Sequence, residues 1–361
     1  MALPSTIAPD GPETGSAPAR GHGLVRAPGE ILRLFVGVLA LSMLFSILYQ
    51  HAFPTLNNVE NMSRQAGILL VIAIGQMFPL LIGGFDLSIA SSMGLAGTVA
   101  ALVMLDHGTL AGVAAGLLAA ALAGLTNGIL IGVLTVDPFI ATLGTLTFVS
   151  GLANHLTGGA SVPGLPAGFG HFGANDWGLL PSSMGIGLLV LLLAWVVLAR
   201  TRMGLYTYAI GGSREACVIA GIPVARYDVA AYTISGLLAG VGGIMVASRV
   251  GVGQADIGQG YALLSIATAV IGGVAIGGGV GRLTGVVLGV ALLTVITTGM
   301  NIAGISSFTQ QMLQGAVVVA AVLLNRANRG GRKRRRRGPP SGPAPATTAT
   351  SAHPLPHHQE G

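Results

Sequence analysis

Charge is scarce in this sequence: Asp, Glu, Lys and Arg together make up 8% of 361 residues. A soluble domain carries about 25%, so a chain of this length has too few charges to cover itself against water. The medium that accepts such a surface is lipid. Lysine is nearly absent. The sole lysine, Lys333, sits in the run Arg332-Lys333-Arg334-Arg335-Arg336-Arg337, so the sequence has no Gly-x4-Gly-Lys-(Ser/Thr) phosphate loop. If ATP drives this chain, another polypeptide binds it. A single cysteine, Cys217, excludes an intrachain disulfide. No His-Glu-x2-His, Gly-x-Ser-x-Gly or paired-cysteine motif occurs, which leaves no catalytic constellation. Three of the eight histidines, His353, His357 and His358, share a Pro-rich tail and read as solvated, so neither a metal nor a cofactor is expected on this chain.

What is present is apolar: 52% of the residues are hydrophobic, and 57 are glycine, placed inside apolar runs. In a membrane, small residues let helix backbones approach closely. The fold class expected is therefore all-α, a polytopic transmembrane bundle. Ten apolar runs approach the roughly 20 residues needed to span a bilayer: 31–50, 65–83, 87–105, 109–134, 138–156, 183–199, 229–249, 262–279, 283–302 and 308–325. The pairs around Gly84 and Val136 can each be read as one broken or re-entrant segment, which gives eight spans.

Basic residues orient the bundle. With the N-terminal side inside, Arg20, Arg26, Arg33, Arg200, Arg202, Arg214, Arg226 and Arg282 fall inside, as does the tail. Only Arg64 and Arg249 fall outside, and an even span count follows. From Arg326 onward eight basic residues face one acid, Glu360, so the net charge of +6 resides in the tail. The run reads as a cytoplasmic anchor after a last span, rather than a nucleic-acid patch. Three parts result: a disordered cytoplasmic extension over 1–30, a transmembrane domain over 31–325 and a basic disordered tail over 326–361.

The one long cytoplasmic loop, 200–228, has helix signals. Ser213 is an N-cap, Glu215 suits a first turn, and Gly221 followed by Pro223 closes a helix of about two turns. Such a helix is either a docking element for a soluble partner or a surface connector. Asp86, in Gly83-Gly84-Phe85-Asp86-Leu87-Ser88, is an acid between apolar runs; it either faces a cavity or partner, or caps the next span at the interface. Gly236 with Gly240, and Gly285 with Gly289, form small-x3-small pairs that favour close crossings. Gly277-Gly278-Gly279-Val280-Gly281 lacks the setting of a dinucleotide fingerprint and reads as a tight turn.

Taken in order, these blocks resemble the permease subunits of ribose-type ABC sugar importers, within the larger family that also serves branched-chain amino acids. The likeness covers about Ala66 to Asn325. It is carried by Gly83-Gly84-Phe85-Asp86-Leu87-Ser88, by Asn127-Gly128, by Pro138 to Gly144 (which includes Thr142), and by Leu156-Thr157-Gly158-Gly159. It continues through Tyr208 to Ala216, Gly221 to Val224, Ser235-Gly236, Ala239-Gly240, Gly243, Ile271-Gly272-Gly273 and Gly278 to Gly281. The Asp-Leu-Ser block favours the sugar branch. Two departures stand out: Ala262-Leu263-Leu264 replaces a usual Glu-Leu-Asp, and Cys217-Val218 replaces a usual Ala-Arg pair.

The resemblance implies a permease in a bacterial plasma (inner) membrane that translocates a pentose or related monosaccharide. Its partners would be ABC ATPase subunits holding ATP and magnesium, a second permease (homodimer or heterodimer), and a periplasmic or lipid-anchored sugar-binding protein. No nucleic acid is implied. Gly212, Ser213, Arg214, Glu215, Ala216 and Gly221 are implied to couple to the ATPase, and Asp86, Ser88, Asn127 and Thr142 to shape the pathway. The alternatives are an ion-coupled secondary transporter, which needs membrane-embedded charge relays, and an amino-acid permease on the same scaffold.

Overall fold

The computed structural model describes residues 28–178, 180–313 and 315–316. The expected N-terminal extension up to 27, most of the last span and the basic tail lie outside the described residues. Ten α-helices occur among them: α1 (Pro28–Leu48), α2 (Leu56–Leu81), α3 (Ile89–Gly132), α4 (Pro138–Thr157), α5 (Ser182–Arg200), α6 (Arg202–Gly212), α7 (Arg214–Ile219), α8 (Val224–Val250), α9 (Tyr261–Ile271) and α10 (Leu283–Ile302). A further helical stretch begins at 307. Seven of these helices are long and apolar enough to cross a bilayer. The chain is a polytopic helical membrane protein.

Local signals set most boundaries. Thr55 caps α2, its hydroxyl accepting from the Asn58 N–H at 3.3 Å. Asp137 caps α4 through the Phe139 N–H at 2.9 Å, with Pro138 at the first helical position, where its missing N–H costs nothing. Three expectations shift. α2 starts at Leu56, so most of the expected 50–64 loop is helical. α8 starts at Val224, just after Pro223, and α6 fills much of the remaining loop. The expected span 262–279 is helical only over Tyr261–Ile271 and then turns at Gly272 and Gly273. Eleven residues rise about 16 Å, too short to cross alone.

α3 is a hairpin. Its 44 residues are interrupted at Gly108, whose φ of 82° and ψ of 171° fold the chain back; that conformation is open to glycine and costly for other residues. The arms 89–107 and 109–132 then run antiparallel, with Gly112 against Met104 and Ala100, and Gly116 against Ala96 and Ala100. These arms correspond to the two expected runs 87–105 and 109–134.

α2 is the central helix, packed against α5, α8, α9 and α10. Its stretch from Gly67 to Leu81 is continuously buried. α1, more apolar than α2, has no buried residue in its membrane-length window and leans on α10, where the Phe45 ring covers Gly299. The second arm of α3 lies along α8 on small residues: a Cβ on Gly128 would come within 2.7 Å of Val229 Cα, and one on Gly240 within 2.7 Å of Ala120 Cβ.

The helices define two ends. One, here the near end, gathers 82–88, 133–137, 201–223 and 272–282. The far end gathers 49–55, Gly108, 158–181 and 251–260. It is tied by Arg64, which pairs with Asp176 at 2.8 Å, by Ser248 Oγ donating to Phe169 O at 2.6 Å, and by the bridge between Val162 and Gly253. The 158–181 segment holds a 3-10 helix (Ala167–Phe172) and a two-stranded hairpin, β1 (Asp176–Trp177) and β2 (Leu180–Pro181).

Candidate functional site

Two constellations occupy the near half of the bundle. The first centres on Asp86, between α2 and α3. Its carboxylate is fully buried and accepts three hydrogen bonds: Ser88 N–H at 2.9 Å and Ser88 Oγ at 2.6 Å to Oδ1, and Ser235 Oγ of α8 at 2.8 Å to Oδ2. Ser88 Oγ in turn accepts from Asn127 Nδ2 of α3 at 2.7 Å. Gln76 of α2, with its amide oriented to satisfy both groups, donates to Asp86 O at 3.0 Å and accepts from Asp86 N–H at 3.1 Å. The Tyr232 hydroxyl lies 3.4 Å from the Phe85 carbonyl. Asp86 therefore turns the chain into α3 and is sealed inside the bundle, where hydrogen bonds rather than a cation compensate its burial.

Of the four residues expected to shape a pathway, Asp86, Ser88 and Asn127 meet in this cluster. Thr142 does not join them: it is buried on α4, and its hydroxyl bonds Pro138 O of its own helix at 2.7 Å. The cluster members are packed rather than lining an open channel in this conformation.

The second constellation is the 201–223 segment. α6 is held by close backbone approach. A Cβ on Gly211 would collide with the Leu81 carbonyl oxygen and the Gly279 nitrogen, and Gly279 N–H donates to Leu81 O at 2.8 Å. Gly278 and Gly279 both adopt positive φ, so the 277–281 glycines form the tight turn that their sequence indicates. Tyr208 of α6 donates its hydroxyl to Gly281 O at 2.9 Å. Burial pushes that hydroxyl above its ordinary pKa.

α7 follows at once. The Ser213 hydroxyl accepts from Ala216 N–H at 3.4 Å, and Glu215 stands in the first turn. Gly221, at φ 73°, ends the turn, and Ile222 N–H donates to Cys217 O at 3.0 Å. Cys217 is buried. Glu215 and Ala216 are exposed, and so are two apolar side chains, Val218 at 61% and Ile219 at 88%. Gly212 is exposed with open space about it. Arg214 turns back: its guanidinium grips Asp228 of α8, with Nη1 3.2 Å from Oδ1 and Nη2 on Oδ2.

A cavity of 440 Å³ separates the two constellations, lined among others by Gly84, Thr135, Asp137, Arg214, Asp228 and Tyr232. Among the described residues no cluster of three or more His, Cys, Asp or Glu side chains fit to hold a metal occurs.

Sequence reasoning missed Asp228, Tyr232 and Gln76 as members of these sites, and took Ser235 only as part of a matching block. Asp228 carried a signal: it is an acid inside an apolar helix, which calls for a partner. Ser235 stands 149 residues from Asp86 and carried none.

Residues 58–322 match the family described as branched-chain amino acid transport system / permease component. The chain is 36% identical over 300 residues to the ribose import permease protein RbsC of Bacillus subtilis (strain 168), covering 82% of this chain and 92% of the relative. It is 35% identical over 284 residues to the L-arabinose transport system permease protein AraH of Escherichia coli (strain K12), covering 78% and 87%. It is 32% identical over 279 residues to the D-allose transport system permease protein AlsC of the same strain, covering 77% and 86%. No solved structure matches.

Proposed function

Since the chain belongs to the family of branched-chain amino acid transport system permease components, we propose that it is the transmembrane permease subunit of an ABC importer that carries a pentose or related monosaccharide. One observation carries this reading: the similarity to permeases named for ribose, arabinose and allose extends over most of the chain. That likeness disfavours the ion-coupled alternative. The buried Asp86, compensated by neutral donors, adds no charge relay.

The energy source is a separate ATPase subunit that binds ATP with magnesium. A binding protein on the outer face delivers the sugar, and a second permease, identical or related, completes the pathway. The protein resides in a bacterial inner membrane with its near end in the cytoplasm. In this reading the two arms of α3 count as separate spans, and α9 with the 272–282 turns counts as one. The helical stretch from 307 is the last of ten, which puts both chain ends inside. The parts are then an extension over 1–30, the permease domain over 31–325 and the basic tail over 326–361.

Gly212, Ser213, Arg214, Glu215, Ala216 and Gly221 form the coupling element. The support for it is physical. α7 is a short helix capped at both ends that exposes Glu215, Val218 and Ile219, and an apolar pair displayed beside a charge suits a protein partner. ATP binding in the partner displaces this element, and the bundle switches between outward and inward access, a bistable change biased by a ligand on another chain. Asp86, Ser88 and Asn127, and separately Thr142 on α4, belong to the wall that switches.

The test is uptake of labelled ribose, arabinose and allose into proteoliposomes holding the permease, its ATPase and its binding protein. Uptake should require all three and ATP. Glu215→Lys should abolish it while leaving membrane insertion intact. Uptake by the permease alone, or driven by an ion gradient, overturns the reading, and an amino acid as the preferred solute overturns its sugar part.

A further inference from the structure

The polar groups of the near end lie along a single helix face. Asp228, Tyr232 and Ser235 of α8 stand at i, i+4 and i+7, which places them on one side. Asp228, at the lower end of this face, is gripped by Arg214 of α7. Ser235, at the upper end, holds Asp86, which is joined through Ser88 to Asn127 of α3. Between α7 and the 82–84 segment lies the 440 Å³ cavity, and Arg214 is the one residue of α7 that lines it. A displacement of α7 therefore meets open space in the direction of Asp86, but meets a buried charge in the direction of α8.

From this geometry we propose that the Arg214–Asp228 ion pair is the tie through which movement of α7 reaches α8, and through Ser235 the Asp86 cluster. Arg214 and Asp228 are on this account positioning residues for transport, distinct from the exposed docking surface of Glu215, Val218 and Ile219. The proposal rests on the ATPase-driven permease reading and names the route of coupling inside it.

The physical case has two parts. Asp228 is wholly buried, whereas the Arg214 side chain is 47% exposed. Separating them strands a buried carboxylate, and removing one partner of a buried pair is strongly unfavourable, so the pair resists parting and moves as a unit. The two-pronged guanidinium–carboxylate contact also fixes orientation, so a rotation of α7 is passed on as well as a translation. A lysine would hold the charge but not the fork.

The experiment uses the full complex of permease, ATPase and binding protein in proteoliposomes. It reads three quantities: sugar taken up per ATP hydrolysed, ATPase retained on the purified permease, and melting temperature. Arg214→Gln, Asp228→Asn and the double variant should each lower sugar per ATP by about tenfold or more, the scale of a coupling free energy between sites, with the ATPase still bound. The double variant should be no worse than either single one, because both act through one contact. Arg214→Lys, at a half-exposed position that tolerates the change, should fall between wild type and Arg214→Gln. A Lys variant equal to wild type, a double variant within about twofold of wild type, or losses that follow loss of bound ATPase would each overturn the tie. Absence of ATP-driven uptake by the wild-type complex would instead sink the permease reading beneath it.

Discussion

The α3 hairpin meets α8 on one side and α4 on the other. Against α8 its second arm brings Gly124 so close to Gly236 that a Cβ on Gly124 would stand 2.9 Å from Gly236 Cα. Against α4 it leaves a cavity of 590 Å³, walled by Leu95, Leu122, Ile140, Phe148 and Leu152 with other mainly apolar residues. Both partner helices are apolar, so hydrophobicity is not the difference. Gly112, Gly116, Ala120, Gly124, Gly128 and Gly132 recur every four residues along the second arm. The first two face the other arm, and the rest face α8. Where lipid is as apolar as a leucine side chain, helices associate through close packing and shared hydrogen bonds. The α8 crossing has both, since beside it Ser235 donates to Asp86 and Asn127 donates to Ser88. The glycines of α4, Gly144 and Gly151, have nothing within 4 Å.

Breaking the tight crossing should have the largest effect. Gly124→Leu forces a side chain into the Tyr232 carbonyl and the Gly236 backbone. Overpacking of this kind costs about 3 kcal/mol or more, and little monodisperse protein should survive size-exclusion chromatography after mild heating. Asp86→Leu comes next. It leaves the Ser88 and Ser235 hydroxyls without their acceptor, at a cost of about 2–3 kcal/mol, read as a lower melting temperature in detergent. Thr142→Val on α4 removes a hydroxyl bonded only to its own helix and should cost about 1 kcal/mol or less. Gly144→Ala should be the mildest, leaving stability unchanged or raising it by about 0.5 kcal/mol, as alanine does in place of an unconstrained helical glycine. A large loss at Gly144 would show that the α4 face is as tightly occupied as the α8 face.

Helices whose limits depend on neighbouring residues were readable in advance. α10 matches its expected run at both ends, because an apolar stretch between Arg282 and Gly304 leaves little choice. The cap of α7 at Ser213 and its close at Gly221 were likewise visible, since a capping side chain acts on N–H groups two or three residues away. α9 misled, because hydropathy continues past Ile271 while the backbone does not: Gly272 and Gly273 count as apolar in composition but turn the chain. The four-residue spacing along the second arm of α3 was present in the sequence, yet spacing alone does not say which helix faces it.

Run length, scarcity of charge and cap chemistry settled that this chain is a bundle of membrane helices with a short capped helix between Ser213 and Gly221. These are properties of adjacent residues and of the solvent they tolerate. Which polar groups find one another was decided only when the helices packed. Arg214 meets Asp228 across 14 residues and Asp86 meets Ser235 across 149. A buried charge must be satisfied by whatever donor the packing brings within reach, and that depends on how one helix lies against another.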